Sequence, residues 1–212
     1  MDYAIAFAGI VAAYLIGSVS TAVYFGKLFY KVDVRQHGSG NAGATNTLRV
    51  LGNKAGLIVL FIDAFKGWLA VSLSHVLVTD SWTDENIVYL RIALALVAVL
   101  GHIFPVYTRF KGGKGVATLL GVTVALFPYL LILILVGVFA LVFGITKYVS
   151  LGSITVAVLL PVLAFFFFDV PAPLLILAVF IAILVPATHR SNIKRLMTGK
   201  ESKLSLKNNK AK

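Results

Sequence analysis

Cysteine is absent from this 212-residue chain, which removes disulfides, thiol nucleophiles and thiolate metal sites at once. Charge is scarce too: 13% of residues are Asp, Glu, Lys or Arg, against about 25% in soluble domains. With 59% of residues hydrophobic, the chain is read as an integral membrane protein long enough for one compact helical bundle. Acidic residues are few, 8 against 19 basic, for a net charge of +11. In a soluble chain that surplus would suggest nucleic acid. Here the basic residues lie between apolar runs, where they orient helices, so no nucleic-acid partner is expected. The four histidines, at 37, 75, 102 and 189, lack metal-ligand spacing, and neither metal nor cofactor is expected. No basic residue precedes Lys27, so no cleavable leader is expected. The G-x-x-x-x-G-K-[ST] motif does not occur, nor does G-x-G-x-x-G between a strand and a helix, and a soluble nucleotide-binding reading fails.

What is present is a set of apolar runs. They predict an all-α bundle of about seven spans: Tyr3–Phe25, Leu57–Val78, Ile87–Phe104, Val116–Phe127, Tyr129–Ile145, Leu151–Phe168 and Leu174–Thr188. The fourth is short, and Pro128 separates it from the fifth. Seven spans put Lys31, Arg35, Arg49, Lys54, Arg109, Lys111, Lys114, Lys147 and the tail on one face, with Asp80, Asp84, Glu85 and Asp169 opposite. Positive loops stay cytoplasmic, so the N-terminus is expected outside and the C-terminus inside. In the first span Gly9, Ala13, Gly17 and Thr21 recur every four residues, a seam for close helix packing. Residues 1–201 are expected to form a single domain, and 202–212 a basic disordered tail.

Three polar islands fall on the predicted cytoplasmic face. The first contains Gly38, Ser39, Gly40, Asn41, Gly43, Thr45, Asn46 and Arg49, a glycine-rich stretch whose backbone donors and guanidinium suit an anion. The second contains Lys111, Gly112, Gly113, Lys114 and Gly115, placed where the fourth span would begin. A helix N-terminus there favours negative charge. His102, just upstream, reads as a hydrogen-bonded packing residue. The third runs from His189 to Glu201; as a helix it sets His189, Asn192 and Leu196 on one face, and as a basic segment it suits anionic lipid. Within the second span Asp63 and Lys66 stand three residues apart, a spacing open to mutual pairing and to a role in a site. An organic-phosphate transporter and a lipid-binding scaffold are the competing classes. No internal repeat supports the first, and a scaffold has no need of three clustered anion sites.

GSGNAGATNTLRVLG, GHIFPVYTRFKGGKGVAT and HRSNIKRLMTG, with Asp63-Ala64-Phe65-Lys66-Gly67, give the chain a resemblance along nearly all its length. It resembles the bacterial membrane acyltransferases that acylate glycerol 3-phosphate from acyl phosphate. The resemblance implies a seven-helix bundle in the cytoplasmic (inner) membrane with its site facing the cytoplasm. It implies acyl transfer to the 1-hydroxyl, giving lysophosphatidic acid and phosphate for phospholipid synthesis, with coupling to the enzyme that makes acyl phosphate. Ser39, Arg49 and Lys114 would hold glycerol 3-phosphate, and His189 and Asn192 would orient its glycerol end as the catalytic pair. Gly38, Ser39, Gly40, Asn41, Gly43, Thr45, Asn46, Lys111, Gly112, Gly113 and Gly115 would cradle acyl phosphate. Either His189 or a substrate phosphate would take the hydroxyl proton. His75 and Asp80 match the H-x-x-x-x-D pattern of thioester-using acyltransferases, but far from every glycine island, and the match is read as chance.

Overall fold

The computed structural model describes residues 2–79 and 82–204. Every regular element among them is helical: α1 (Asp2–Gly17), α2 (Thr21–Tyr30), α3 (Ala44–Leu51), α4 (Asn53–Ser72), α5 (Ser74–Leu77), α6 (Asp84–Ile103), α7 (Val116–Leu126), α8 (Tyr129–Thr146), α9 (Val149–Phe167), α10 (Ala172–Thr188) and α11 (Arg190–Met197), with two short 3-10 turns. Among the described residues, four stretches are long and apolar enough to cross a bilayer: Asn53–Leu77, Asp84–Thr108, Tyr129–Thr146 and Val149–Phe167. Two bent pairs raise the number to as many as six, and Val116–Leu126 is the short seventh apolar helix. Each apolar run expected from the sequence is therefore helical, and the chain is a multi-pass membrane protein. By packing it falls into two units, residues 2–125 and 126–204 of those described.

In the first unit α1 lies along α6, and the small-residue seam explains the approach. A Cβ on Gly17 would strike the Ala98 backbone, and one on Gly101 would strike the Tyr14 carbonyl. Ala13 and Ala98 are fully buried there with Ala70 and Leu94. Packing helices this closely in lipid depends on such small residues, because burial from water gives no driving force.

One expectation fails. The first span is not continuous from Tyr3 to Phe25 but breaks after Gly17 and resumes at Thr21, bent by 45°. A break at membrane depth leaves backbone groups that need partners. Lys66 Nζ donates to the Val19 carbonyl at 2.7 Å, supplying one. The last span turns as well, by 63° between α10 and α11.

In the second unit α9 packs between α8 and α10, with Gly152 against the Phe139 ring. Part of the expected tail packs within the second unit. Leu204 is buried, and its N–H donates to the Lys147 carbonyl at 2.9 Å, an apolar anchor that the lysines around it conceal in the sequence. Residues 205–212, the rest of that expected tail, lie outside the described residues.

Candidate active site

The first island is a folded loop followed by a helix. Asp33 caps the 3-10 turn Val34–Gln36, accepting from the Arg35 N–H at 3.1 Å and from its guanidinium at 2.7 and 3.0 Å, with Lys27 Nζ at 3.3 Å. The hydrogen bonds from Arg35 hold the Asp33 carboxyl far below the usual range, burial opposing them, and raise the Arg35 pKa in turn. Arg35 Nη1 also reaches the Thr108 carbonyl at 3.4 Å, tying this island to the second.

Asn46 departs from the role the family resemblance implies. Its side chain is buried on α3, where Nδ2 donates to the carbonyls of Val34 (2.7 Å) and His37 (3.1 Å) and Oδ1 accepts from the Ser39 N–H (2.8 Å). With both ends of the amide committed, Asn46 shapes the loop that presents Gly38, Ser39 and Gly40, all exposed. Gly38 has φ +60, and a Cβ there would strike Asn46 Oδ1. Gly43 leads into α3, on which Thr45 and Arg49, four residues apart, share a half-buried face; Asn41 is half-buried before it.

The second island turns through Arg109 and Phe110, both non-glycine residues in the left-handed region. Lys111 is exposed, Gly112, Gly113 and Lys114 are half-buried, and Gly115 is buried at φ +84, a conformation that disfavours any side chain. α7 starts at Val116, and the Leu119 N–H donates to the Gly115 carbonyl at 2.7 Å. The glycines therefore do precede a helix N-terminus, an end where N–H groups without helical partners suit an anion. A Cβ on Gly113 would lie 3.1 Å from the Ala42 carbonyl, so the first two islands pack on each other within the first unit. The Gly113 N–H itself is committed to the His102 carbonyl at 3.1 Å.

Asp63 and Lys66 form a buried ion pair at 2.9 Å, so mutual pairing is what the i, i+3 spacing provides. Thr21 Oγ1 donates to Asp63 Oδ1 at 2.8 Å. His102 is buried beside them, but its ring does not carry the expected hydrogen bond. Nδ1 stands 3.7 Å from Asp63 Oδ1 and has no hydrogen-bond partner among the described residues.

The third island belongs to the second unit. His189 sits at the turn between α10 and α11, where its N–H donates to the Val185 and Pro186 carbonyls at 3.1 and 3.0 Å. Its Nδ1 lies 2.8 Å from the Val185 carbonyl, which can only accept. Nδ1 therefore carries a proton, and in the neutral ring Nε2 is the basic nitrogen. Asn192 Nδ2 donates to Glu201 Oε1 at 2.6 Å, as does Ser150 Oγ at 2.7 Å, while Arg195 Nε donates to Oε2 at 2.7 Å. Burial opposes ionisation of Glu201, but those hydrogen bonds outweigh it and lower its pKa. Sequence reading missed this role for Glu201. The signal was a single acidic residue closing a basic stretch. His75 is exposed on α5, and Asp80, its partner in the H-x-x-x-x-D match, lies outside the described residues.

Comparison with known proteins shows the family. The profile of the glycerol-3-phosphate acyltransferase family matches residues 7–199. A glycerol-3-phosphate acyltransferase of Fusobacterium nucleatum is 46% identical over 93% of this chain and 97% of its own. One from Halalkalibacterium halodurans is 44% identical over 93% and 95%. Crystal structures of PlsY, an integral membrane glycerol 3-phosphate acyltransferase, superpose with TM-scores of 0.81. Its glycerol 3-phosphate form is 36% identical over 94% of this chain and 96% of that one, and its lysophosphatidic acid form is 35% identical over 95% and 96%. With the match running through both units and all three islands, the chain belongs to the glycerol-3-phosphate acyltransferase family.

Proposed function

We propose that this chain transfers a fatty acyl group from acyl phosphate to the 1-hydroxyl of glycerol 3-phosphate, releasing lysophosphatidic acid and phosphate. The observation that carries the reading is the lysine-flanked glycine loop opening α7, packed on a second glycine loop and followed by a helix N-terminus. Family membership and relatives described in glycerol 3-phosphate and lysophosphatidic acid forms support the acceptor and the product. Acyl phosphate is the donor such a site suits: its phosphate matches the glycine loop and its chain matches lipid.

In the reaction the glycerol hydroxyl oxygen attacks the acyl carbonyl carbon. The bond from that carbon to the phosphate oxygen breaks, and the hydroxyl proton passes to the departing phosphate. No covalent acyl-enzyme is required, because the donor is already activated. The protein's work is orientation and stabilisation of the developing oxyanion, for which one lost donor costs roughly 2.7–4 kcal/mol of barrier. Ser39, Arg49 and Lys114 hold the phosphate of glycerol 3-phosphate. Gly38, Gly40, Asn41, Gly43, Thr45, Lys111, Gly112 and Gly115 line the acyl-phosphate side. In the second unit His189 and Asn192 are the catalytic pair, Asn192 fixed by Glu201. If His189→Gln abolished turnover with binding intact, the proton would be reassigned to His189 Nε2.

The loops carrying these residues are basic, which favours a site on the cytoplasmic side of the bacterial inner membrane, the N-terminus outside. The acyltransferase domain spans residues 1–201, supported by a family match that runs to residue 199. An acyl phosphate is a reactive mixed anhydride, so the enzyme that makes it is expected to work in step with this one. The test uses detergent-purified protein with acyl phosphate and labelled glycerol 3-phosphate. Labelled lysophosphatidic acid is expected. Uptake of label by protein-loaded liposomes without product would instead make the chain a transporter.

A further inference from the structure

The Asp63–Lys66 pair plays no part in the chemistry above, yet it reaches the glycine loop through one residue. His102 contacts that loop twice. Its carbonyl accepts the Gly113 N–H at 3.1 Å, and its ring lies where a Cβ on Gly113 would collide with Nε2. A Cβ on Gly112 would collide with the His102 carbonyl. Gly113 is thus glycine on account of the His102 ring, and Gly112 on account of the His102 carbonyl with Ile103 and Pro105, as well as of any ligand. On its other edge the ring faces Asp63, with Nδ1 3.7 Å from Oδ1. Asp63 is fixed in turn by Lys66 at 2.9 Å and Thr21 at 2.8 Å, and Lys66 by the Val19 carbonyl at 2.7 Å. All these groups lie in the first unit, and they run from the break in the first span to the loop before α7.

Packing alone does not account for this set. An apolar side chain would fill the place of His102 without burying polar atoms. Asp63 Oδ2 and His102 Nδ1 are both buried without a hydrogen-bond partner among the described residues. Folded proteins rarely tolerate such atoms, and those that persist need an explanation. We propose that His102, braced by Asp63, is a positioning residue that holds Gly112 and Gly113 in the shape receiving the acyl phosphate. The inference rests on reading that loop as the acyl-phosphate side of the site. It also means that the phosphate is met by N–H groups other than that of Gly113.

The test measures steady-state kinetics of purified protein, varying acyl phosphate and glycerol 3-phosphate separately. His102→Leu keeps bulk and removes polarity. It is expected to raise the acyl-phosphate KM about tenfold while the glycerol 3-phosphate KM moves less than about twofold. His102→Asn keeps a polar atom near the Nδ1 position and is expected to recover most of that loss. Gly113→Ala is expected to lose activity, and adding His102→Ala should restore part of it, since the ring the new methyl strikes is then gone. If His102→Leu does not fold, Asp63→Asn is measured for the same split, with Thr21 and Lys66 still offered an acceptor. Unchanged KM values, both KM values rising together, or no rescue of Gly113→Ala would overturn the proposal. Absence of turnover in the unsubstituted protein would instead sink the acyl-transfer reading, so the two failures are distinct.

Discussion

Replacing Lys66 by Met tests whether charge or packing holds the broken first span. The substitution keeps the side chain's length and removes one ammonium that serves two partners, Asp63 at 2.9 Å and the Val19 carbonyl at 2.7 Å. Deleting one member of a buried ion pair costs about 3–5 kcal/mol, because the other charge stays buried and unpaired. An orphaned buried carbonyl costs about 1–3 kcal/mol. The two do not add in full, since one group supplies both interactions, and about 3–5 kcal/mol is the expected loss. At about 2–4 °C per kcal/mol for a chain of this size, the unfolding midpoint should fall by about 6–20 °C. Removing both charges with Asp63→Leu and Lys66→Met leaves the Thr21 hydroxyl and the Val19 carbonyl unpaired but no unpaired buried charge, the costliest part of the single variant. The double variant should therefore unfold at a higher temperature than Lys66→Met alone. Thermal unfolding in detergent, with denaturant titration in mixed micelles, reads both. A single variant within about 1 kcal/mol of the parent, or a double variant equal to the sum of the singles, would refute the reasoning.

Gly17→Val drives a branched side chain into the Ala98 backbone and should cost about 1–3 kcal/mol or separate α1 from α6, seen as a lowered unfolding midpoint. Glu201→Gln should destabilise the protein most at neutral pH. The Glu201 pKa is lowered from 4.5, so its ionisation contributes stability above that value that is lost as pH falls through the folded pKa. Unfolding curves of parent and variant should accordingly converge as pH drops below 4.5, and a gap that stays constant with pH would assign the role of Glu201 to packing. Arg49→Ala and Lys114→Ala should each raise the glycerol 3-phosphate KM at least about tenfold. Unchanged kinetics in both would remove the phosphate assignment.

Most of the architecture was legible because apolar runs and their breaks are composition signals. Val116–Leu126 and Tyr129–Thr146 end within a residue of the expected bounds, since Pro128 divides them. The break after Gly17 was hidden: Gly17 and Thr21, on either side of it, read as parts of one continuous small-residue seam, and the lysine that caps the open carbonyl lies 47 residues downstream. Glycine-rich loops announced an anion site through chemistry that is local in sequence. The inward turn of Asn46 was not visible, because its partners Val34 and His37 lie 12 and 9 residues away in a loop with no periodicity. His102 read as a hydrogen-bonded packing residue; it is buried, but its Nδ1 has no such bond among the described residues, and the groups on either side of it come from two separate segments.

The most direct measurement of the central claim follows lysophosphatidic acid and inorganic phosphate together in purified protein supplied with labelled glycerol 3-phosphate. Acyl phosphate, acyl-CoA and acyl carrier protein are run as parallel donors. Transfer from acyl phosphate predicts one phosphate released per lysophosphatidic acid formed, with neither thioester supporting turnover. Product from a thioester donor alone, or no product from acyl phosphate with folded protein, would contradict it.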